Sequence, residues 1–307
     1  MSPDRSDAHQ AQVEIDGRRL KLSNLDKVLY ASTGTTKAEI IDYYAKVAPV
    51  MLPLLAHRPV SRFRWPNGVE AASFVEKAMP KGAPDWVATV TLDAPGSSRE
   101  RITYPVVDGL PTLVWLANLA ALELHVPQWT VGPRGGQRDP DRLVVDLDPG
   151  APAGLPECAE VALLVRERLA SDGLECVPVT SGSKGLQLYA PLSGEQDADV
   201  VREYARRLAE SLASDHRSLV VSSMAKALRP KKVLLDWSQN HHAKTTICPY
   251  SLRGRPQPNA AAPRTWDEIE DGGSLKQLPY QEVLDRLDDL APVTASLLVP
   301  GPRVPPS

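Results

Sequence analysis

The chain has 307 residues, a formal net charge of −3 and three scattered cysteines, so it can bury a core without staples and offers neither a disulfide framework nor a Cys-x-x-Cys knuckle. The mild negative charge excludes a protein that coats nucleic acid by bulk electrostatics, although basic clusters stand in "LRPKK" and "SLRGR". The polar opening lacks a signal-peptide core, and the apolar stretch 110–124 is broken by Pro111, Asn118 and Glu123; a soluble cytoplasmic protein is expected.

In chain order, "VEIDGRRLKL" alternates apolar residues around Asp16-Gly17, which suits a type I′ hairpin. A short helix is expected from Ser23. A long helix follows in "TKAEIIDYYAKVAPVMLPLLA", opened by a Thr36–Glu39 capping box and disturbed by Pro49 and Pro53. Residues 59–107 read as short strands between Gly, Pro and Asn turns, a small, partly antiparallel sheet. "PTLVWLANLAALEL" reads as one helix, and the polar loop "VGPRGGQRDPDR" as a boundary between lobes.

Beyond that loop, strands and helices alternate: the Asp-containing strand in "RLVVDLDPG", stopped by Pro149-Gly150, helix 155–171, strand 174–180, strand "LQLYAPL", helix 197–214 and strand "KVLLDWS". The fold class is therefore mixed α/β (α+β) in two lobes. The expected organisation is a disordered tail at 1–12, an N-terminal lobe at 13–140, a second lobe at 141–290 and a mobile Pro-rich tail at 291–307.

"RLVVDLDPG" sets Asp146 and Asp148 into an apolar strand. Residues two apart share a strand face, so the carboxylates project together, about 6.6 Å apart at the backbone. They could cap a strand before the Pro149-Gly150 turn, or hold Mg²⁺ or Mn²⁺. "KVLLDWSQN" ends another apolar strand on Asp236, and if the two strands are neighbours three carboxylates converge on a two-metal site for attack at phosphorus. "TSGSKGLQLY" supplies Ser181, Gly182, Ser183, Lys184 and Gly185 as a phosphate cradle outside the Walker pattern, its backbone N–H groups aimed at an anion, and "KTTICPYSLRGR" adds Lys244 and Arg253.

Together "LDKVLY", "LVWLANLAALELHVPQW", "DLDPG", "TSGSKGL", "MAKAL", "LLDWSQN" and "KTTICPYSLRGRP" resemble the polymerase domain of the bacterial ligase D family, in the archaeo-eukaryotic primase superfamily, over residues 13–269. The resemblance implies a two-lobed primase-type polymerase, a nucleotidyltransferase that extends gapped or broken DNA in repair by non-homologous end joining. It further implies two metal ions, Mn²⁺ favoured over Mg²⁺, and ribonucleotides favoured over deoxyribonucleotides. Asp146, Asp148 and Asp236 would bind the metals; His125, Ser181, Lys184, Gln187, Gln239 and Arg253 fall in the nucleotide-contacting set. Asn24, Lys27 and Lys37 match a pocket for the 5′-phosphate of DNA, and Phe74 matches a residue that stacks on the template. Implied partners are gapped or broken DNA bearing a 5′-phosphate, NTPs or dNTPs, a separate DNA ligase and Ku, with the chain a monomer in the bacterial cytoplasm, associated with the nucleoid.

The sequence departs from the family pattern at Gln187, usually histidine, at Phe63, usually lysine, and at Val75, where a second aromatic usually follows Phe74. No Lys-x-Asp-Gly ligase signature follows, and the Met start and Pro-rich end read as a stand-alone polymerase rather than an excised domain. His241 and His242 match no role and are expected at the surface. A DNA-end-binding module of little or no catalytic power is the alternative, and a phosphodiesterase using the same metals stands third.

Overall fold

The computed structural model describes residues 10–94 and 100–306. Of the expected disordered tail, residues 1–9 lie outside the described residues, whereas residues 10–12 already belong to the first strand, Gln10–Ile15. That strand pairs with Arg18–Ser23 through Asp16 and Gly17, at φ 47° and 73°, the left-handed pair a type I′ turn requires.

The helix Lys37–Leu55 carries the expected Thr36–Glu39 capping box and runs through both prolines. Its buried Tyr43 and Tyr44 hydroxyls donate to the carbonyls of Tyr250 and Leu122 at 2.6 Å, tying it to distant segments. No helix starts at Ser23. Asn24, at φ 53°, turns the chain instead, and Val28–Tyr30 is extended.

The expected single helix over 111–124 divides. Leu110–Asn118 is helical, Ala120 adopts φ 55°, and Ala121–Val126 is a strand. An apolar run without a polar face fits a buried strand as well as a buried helix, and here pairing to Ser61–Arg64 selects the strand. This strand sits in a four-stranded sheet with Thr246–Ile247 on one side and Ser61–Arg64 and Phe74–Glu76 on the other.

The larger sheet has six strands in the order Val220–Val221, Val233–Asp236, Arg142–Pro149, Leu186–Pro191, Val177–Thr180, Ala262–Pro263. All neighbours are antiparallel except the first pair. Its strands alternate. Leu143, Val145, Leu147, Leu186 and Leu188 enter a core covered by the helices Leu155–Ser171 and Ala198–Asp215. Val144 and Tyr189 face the other way and join the core built around Lys37–Leu55.

The boundary expected between residues 140 and 141 is crossed again downstream. Thr246–Ile247 completes the smaller sheet, and Leu278, Tyr280, Val283 and Leu290 pack into its core. The Pro-rich end is packed as well, contrary to a mobile tail. Leu287–Ala295 is helical, Val304 is buried, and Gln196 exchanges both amide hydrogen bonds with the Val304 backbone.

Candidate active site

The alternation that buries Leu143, Val145 and Leu147 directs Asp146 and Asp148 to the opposite face, beside Val144. Antiparallel register places Asp236 directly opposite Asp146. One carboxylate oxygen from each of Asp146, Asp148 and Asp236 lies within 4.8 Å of the others. Gln187 Nε2 donates to Asp146 Oδ1 at 3.0 Å. Asp236 accepts from the Ser238 N–H at 3.0 Å, the Ser238 hydroxyl at 2.6 Å and Gln239 Nε2 at 2.9 Å.

Burial, then the Asp148 charge beside it, pushes the Asp146 carboxyl up to about 8. Asp148 is likewise raised by burial and by Asp236. Three convergent carboxylates, two of which resist shedding their protons, are an arrangement a divalent cation relieves, and an all-oxygen donor set suits Mg²⁺ or Mn²⁺. The cluster fits such ions.

A cleft opens over the cluster, lined by His125, Ser181, Lys184, Gln187, Gln239 and Arg253, every residue expected in the nucleotide set, and also by Thr246 and Arg255. Lys244 is exposed and outside this lining. The "SGSKG" turn is shaped by close approach. A Cβ on Gly182, at φ 70°, would lie 2.6 Å from Arg253 Cγ, and one on Gly185 would strike the Leu147 carbonyl. Contrary to the expectation from sequence, the turn's N–H groups are not all free for an anion. Ser181 Oγ takes those of Ser183 and Gly185, and Gln277 takes that of Gly182. Side chains of Lys184, Arg253 and Arg255 supply the positive charge of the cleft lining.

Glu123 organises the far wall. Its carboxylate accepts from Arg253 Nη1 at 3.1 Å and the Gly254 N–H at 3.0 Å, and bonds His125 Nε2 at 2.9 Å. Burial alone would raise Glu123, but His125, Arg253 and the Gly254 amide outweigh it and hold the carboxyl below its ordinary value. His125 is kept below its ordinary value by burial, so the ring is neutral near pH 7. It lies on a strand, not a helix end, with Phe63 packed over its ring. Arg253 Nε is buried without a partner among the described residues, an orphan donor beside the cleft.

Asn24, Lys27 and Lys37 also come together. The Lys27 N–H donates to the Asn24 carbonyl at 3.1 Å and the Lys37 N–H to the Lys27 carbonyl at 2.8 Å. Lys37 heads the long helix, its Nζ donating to the Ser23 carbonyl at 2.6 Å, while Lys27 Nζ donates to Asn67. Burial, with Lys27 and Arg64 nearby, lowers Lys37 to about 8. Two ammonium groups crowded at a helix N-terminus are an arrangement that favours an anion. Phe74 and Val75 stand exposed on the edge strand of the smaller sheet. His241 and His242 stack on each other 4.2 Å apart, His242 exposed and His241 half-buried.

A family model described as LigD, primase-polymerase domain, matches residues 36–293. The chain belongs to that family. It is 50% identical over 275 residues to the multifunctional non-homologous end joining DNA repair protein LigD of Mycobacterium tuberculosis, a match covering 88% of this chain and 36% of that protein. Identity to the bifunctional LigD of Bacillus subtilis is 33% over 270 residues, 88% of this chain and 42% of that one. The chain thus spans well under half the length of these relatives. A solved polymerase domain of M. tuberculosis ligase D, in complex with DNA, superposes with a TM-score of 0.87 at 47% identity, covering 92% of this chain and 99% of that one. As a member of the LigD primase-polymerase family the chain is an enzyme, a nucleotidyltransferase of polymerase type. No helix among the described residues is long and apolar enough to cross a membrane.

Several residues of this LigD-type site escape sequence reading. Glu123, Tyr189 and Thr246 stand inside the quoted motifs without a role being read for them, and Gln277 lies outside those motifs. The one legible signal is Glu123, a lone acid two residues before His125 in an otherwise apolar run.

Proposed function

We propose that this chain is a template-directed repair polymerase that adds nucleotides, ribonucleotides by preference, at short DNA gaps or broken ends bearing a 5′-phosphate. One observation carries the reading: two separate cationic sites. Lys184, Arg253 and Arg255 line a cleft over the acidic cluster, and Lys27 and Lys37 crowd together at a helix start. The first suits a triphosphate and the second a terminal phosphate; a nuclease has no need of the first.

Asp146, Asp148 and Asp236 would hold two divalent ions, Mn²⁺ favoured, which when bound polarise phosphate oxygens and neutralise developing charge. Arg253 and Lys184 bind the triphosphate of the incoming nucleotide, with Ser181, Gln239 and His125 completing its contacts. Glu123 orients both His125 and Arg253. Phe74 stacks on a template base, a contact tolerant of sequence. In the reaction a primer 3′-oxygen gains a bond to the α-phosphorus as the bond to pyrophosphate breaks. A separate DNA ligase and Ku are the partners this role implies, with the polymerase a monomer in the bacterial cytoplasm at the nucleoid.

The test is primer extension on a short gapped duplex with and without a 5′-phosphate, supplied with Mn²⁺ and either ribo- or deoxyribonucleotides, beside Asp146→Ala and Asp148→Ala. Phosphate-stimulated incorporation lost in both variants is the expected result. Phosphate-dependent binding without incorporation would instead favour an end-recognition module, the reading that Phe63 in place of the usual lysine supports. Shortening of the labelled strand without added nucleotide would favour a phosphodiesterase.

A further inference from the structure

Behind the acidic cluster a file of buried polar side chains runs from the smaller sheet to the larger. Gln128, Thr246, Tyr189 and Gln187 are each at most 6% exposed. Gln128 Nε2 lies 2.6 Å from Thr246 Oγ1, Thr246 Oγ1 lies 3.2 Å from the Tyr189 hydroxyl, and that hydroxyl lies 2.8 Å from Gln187 Oε1. Gln187 Nε2 then reaches Asp146 Oδ1 at 3.0 Å.

The direction of the file follows from donor chemistry. An ionised Asp146 only accepts, so Gln187 must present its NH₂ there and its carbonyl to Tyr189. Tyr189 has a single proton, which goes to Gln187, shared with the Ile247 carbonyl 3.0 Å away. Thr246 Oγ1 accepts from the Tyr189 hydroxyl and from the Gln128 amide. From Tyr189 through Gln187 to Asp146 each member donates toward the carboxylate, the arrangement in which successive bonds polarise one another.

We infer that Gln187 is a positioning residue for the metal site. It sets the plane of the Asp146 carboxylate, and its own amide is locked by Tyr189, whose hydroxyl is anchored to Thr246 and the Ile247 carbonyl of the other sheet. This moves Gln187 from the nucleotide contacts to the support of a metal ligand, and it explains how glutamine serves where the family usually carries histidine: one N–H donor is what the position requires. The inference rests on the reading of Asp146, Asp148 and Asp236 as metal ligands. Partners behind a ligand of this kind contribute to metal affinity by fixing ligand orientation.

The experiment is a Mn²⁺ titration, by electron paramagnetic resonance and calorimetry, of the protein without nucleotide or DNA. Gln187→Met, of similar length but without a donor, is expected to weaken Mn²⁺ binding about tenfold. Gln187→His, which restores an N–H, is expected to recover most of it. Tyr189→Phe leaves Gln187 in place but unlocked, and should lose about threefold, as for one hydrogen bond. Metal-free thermal transitions monitor folding, and should not separate the Met from the His variant. If wild type and Asp236→Ala bind Mn²⁺ equally, or wild type binds none, the metal reading itself fails. If wild type binds and both Gln187→Met and Tyr189→Phe match it, the metal reading stands and the positioning role of Gln187 is overturned. Should Gln187→Met fail to fold, Tyr189→Phe against wild type decides alone.

Discussion

The Phe63 ring lies over the imidazole of His125, centroids 4.5 Å apart and planes tilted by 36°. An aromatic pair of this kind contributes roughly 0.5–1.5 kcal/mol beyond its buried area. Where the family pattern read from the sequence has lysine, this chain places an aromatic ring against His125 beside the cleft. Phe63→Lys is expected to lower the thermal midpoint slightly and the nucleotide KM about threefold to fivefold, as for a partly exposed ion pair of up to about 1 kcal/mol. Steady-state kinetics with unchanged KM would remove Phe63 from the nucleotide site.

The Asp146 carboxyl makes the metal-free protein sensitive to pH. Its ordinary value of 3.8 applies to the unfolded chain, and the fold raises it to about 8. Between these values the folded state binds more protons than the unfolded state, so stability falls as pH rises from about 4 to about 8. Thermal melts in chelator should show that decline, and Asp146→Asn should flatten it. Added Mn²⁺ should reverse the slope by binding the deprotonated cluster. A decline of equal steepness in Asp146→Asn would assign it to other groups.

Lys37 gives the opposite sign. Its ammonium is lost as pH rises through about 8, so the extra affinity that a 5′-phosphate gives a gapped duplex should shrink above that pH. Stability moves the other way, since the unfolded lysine keeps its proton up to 10.5 and the fold is relatively favoured between the two values. Fluorescence anisotropy from pH 7 to 9.5 checks the binding. Lys37→Arg should abolish the break. Lys27→Ala should weaken the phosphate preference and, by removing a neighbouring charge, shift the break upward.

Glu123 holds an arginine and a histidine that lie far away or two residues away in sequence. Glu123→Gln leaves Arg253 without its counter-ion, and breaking such a partly buried pair should cost about 2 to 3 kcal/mol, just under the range for fully buried ones. Chemical denaturation should show this as a lower midpoint at unchanged slope. A change under about 0.5 kcal/mol, the range of ordinary surface substitutions, would mean that Glu123 is not the hub of this wall.

Much of the molecule is legible along the chain because local chemistry repeats at the period of the element it forms. Asp16-Gly17 specifies a tight hairpin, Thr36 and Glu39 cap a helix, and apolar residues alternating with Asp146 and Asp148 put both acids on one strand face. The motifs around Asp146, Ser181, Asp236 and Arg253 were enough to point to the family. What tertiary structure decided is everything that depends on register and on distant partners. Only pairing of Val233–Asp236 against Arg142–Pro149 sets Asp236 opposite Asp146, and a slip of one residue would turn it to the other face. The apolar run 111–124 had no polar face to mark its period, so sheet pairing, not propensity, made its second half a strand. The Pro-rich end read as mobile because its composition buries little, yet Gln196 and the Val304 backbone satisfy each other on the finished surface. Glu123 and Tyr189 gained their roles the same way: a buried polar group takes its meaning from whichever partner folding brings within a hydrogen bond, and that partner is not written beside it in the chain.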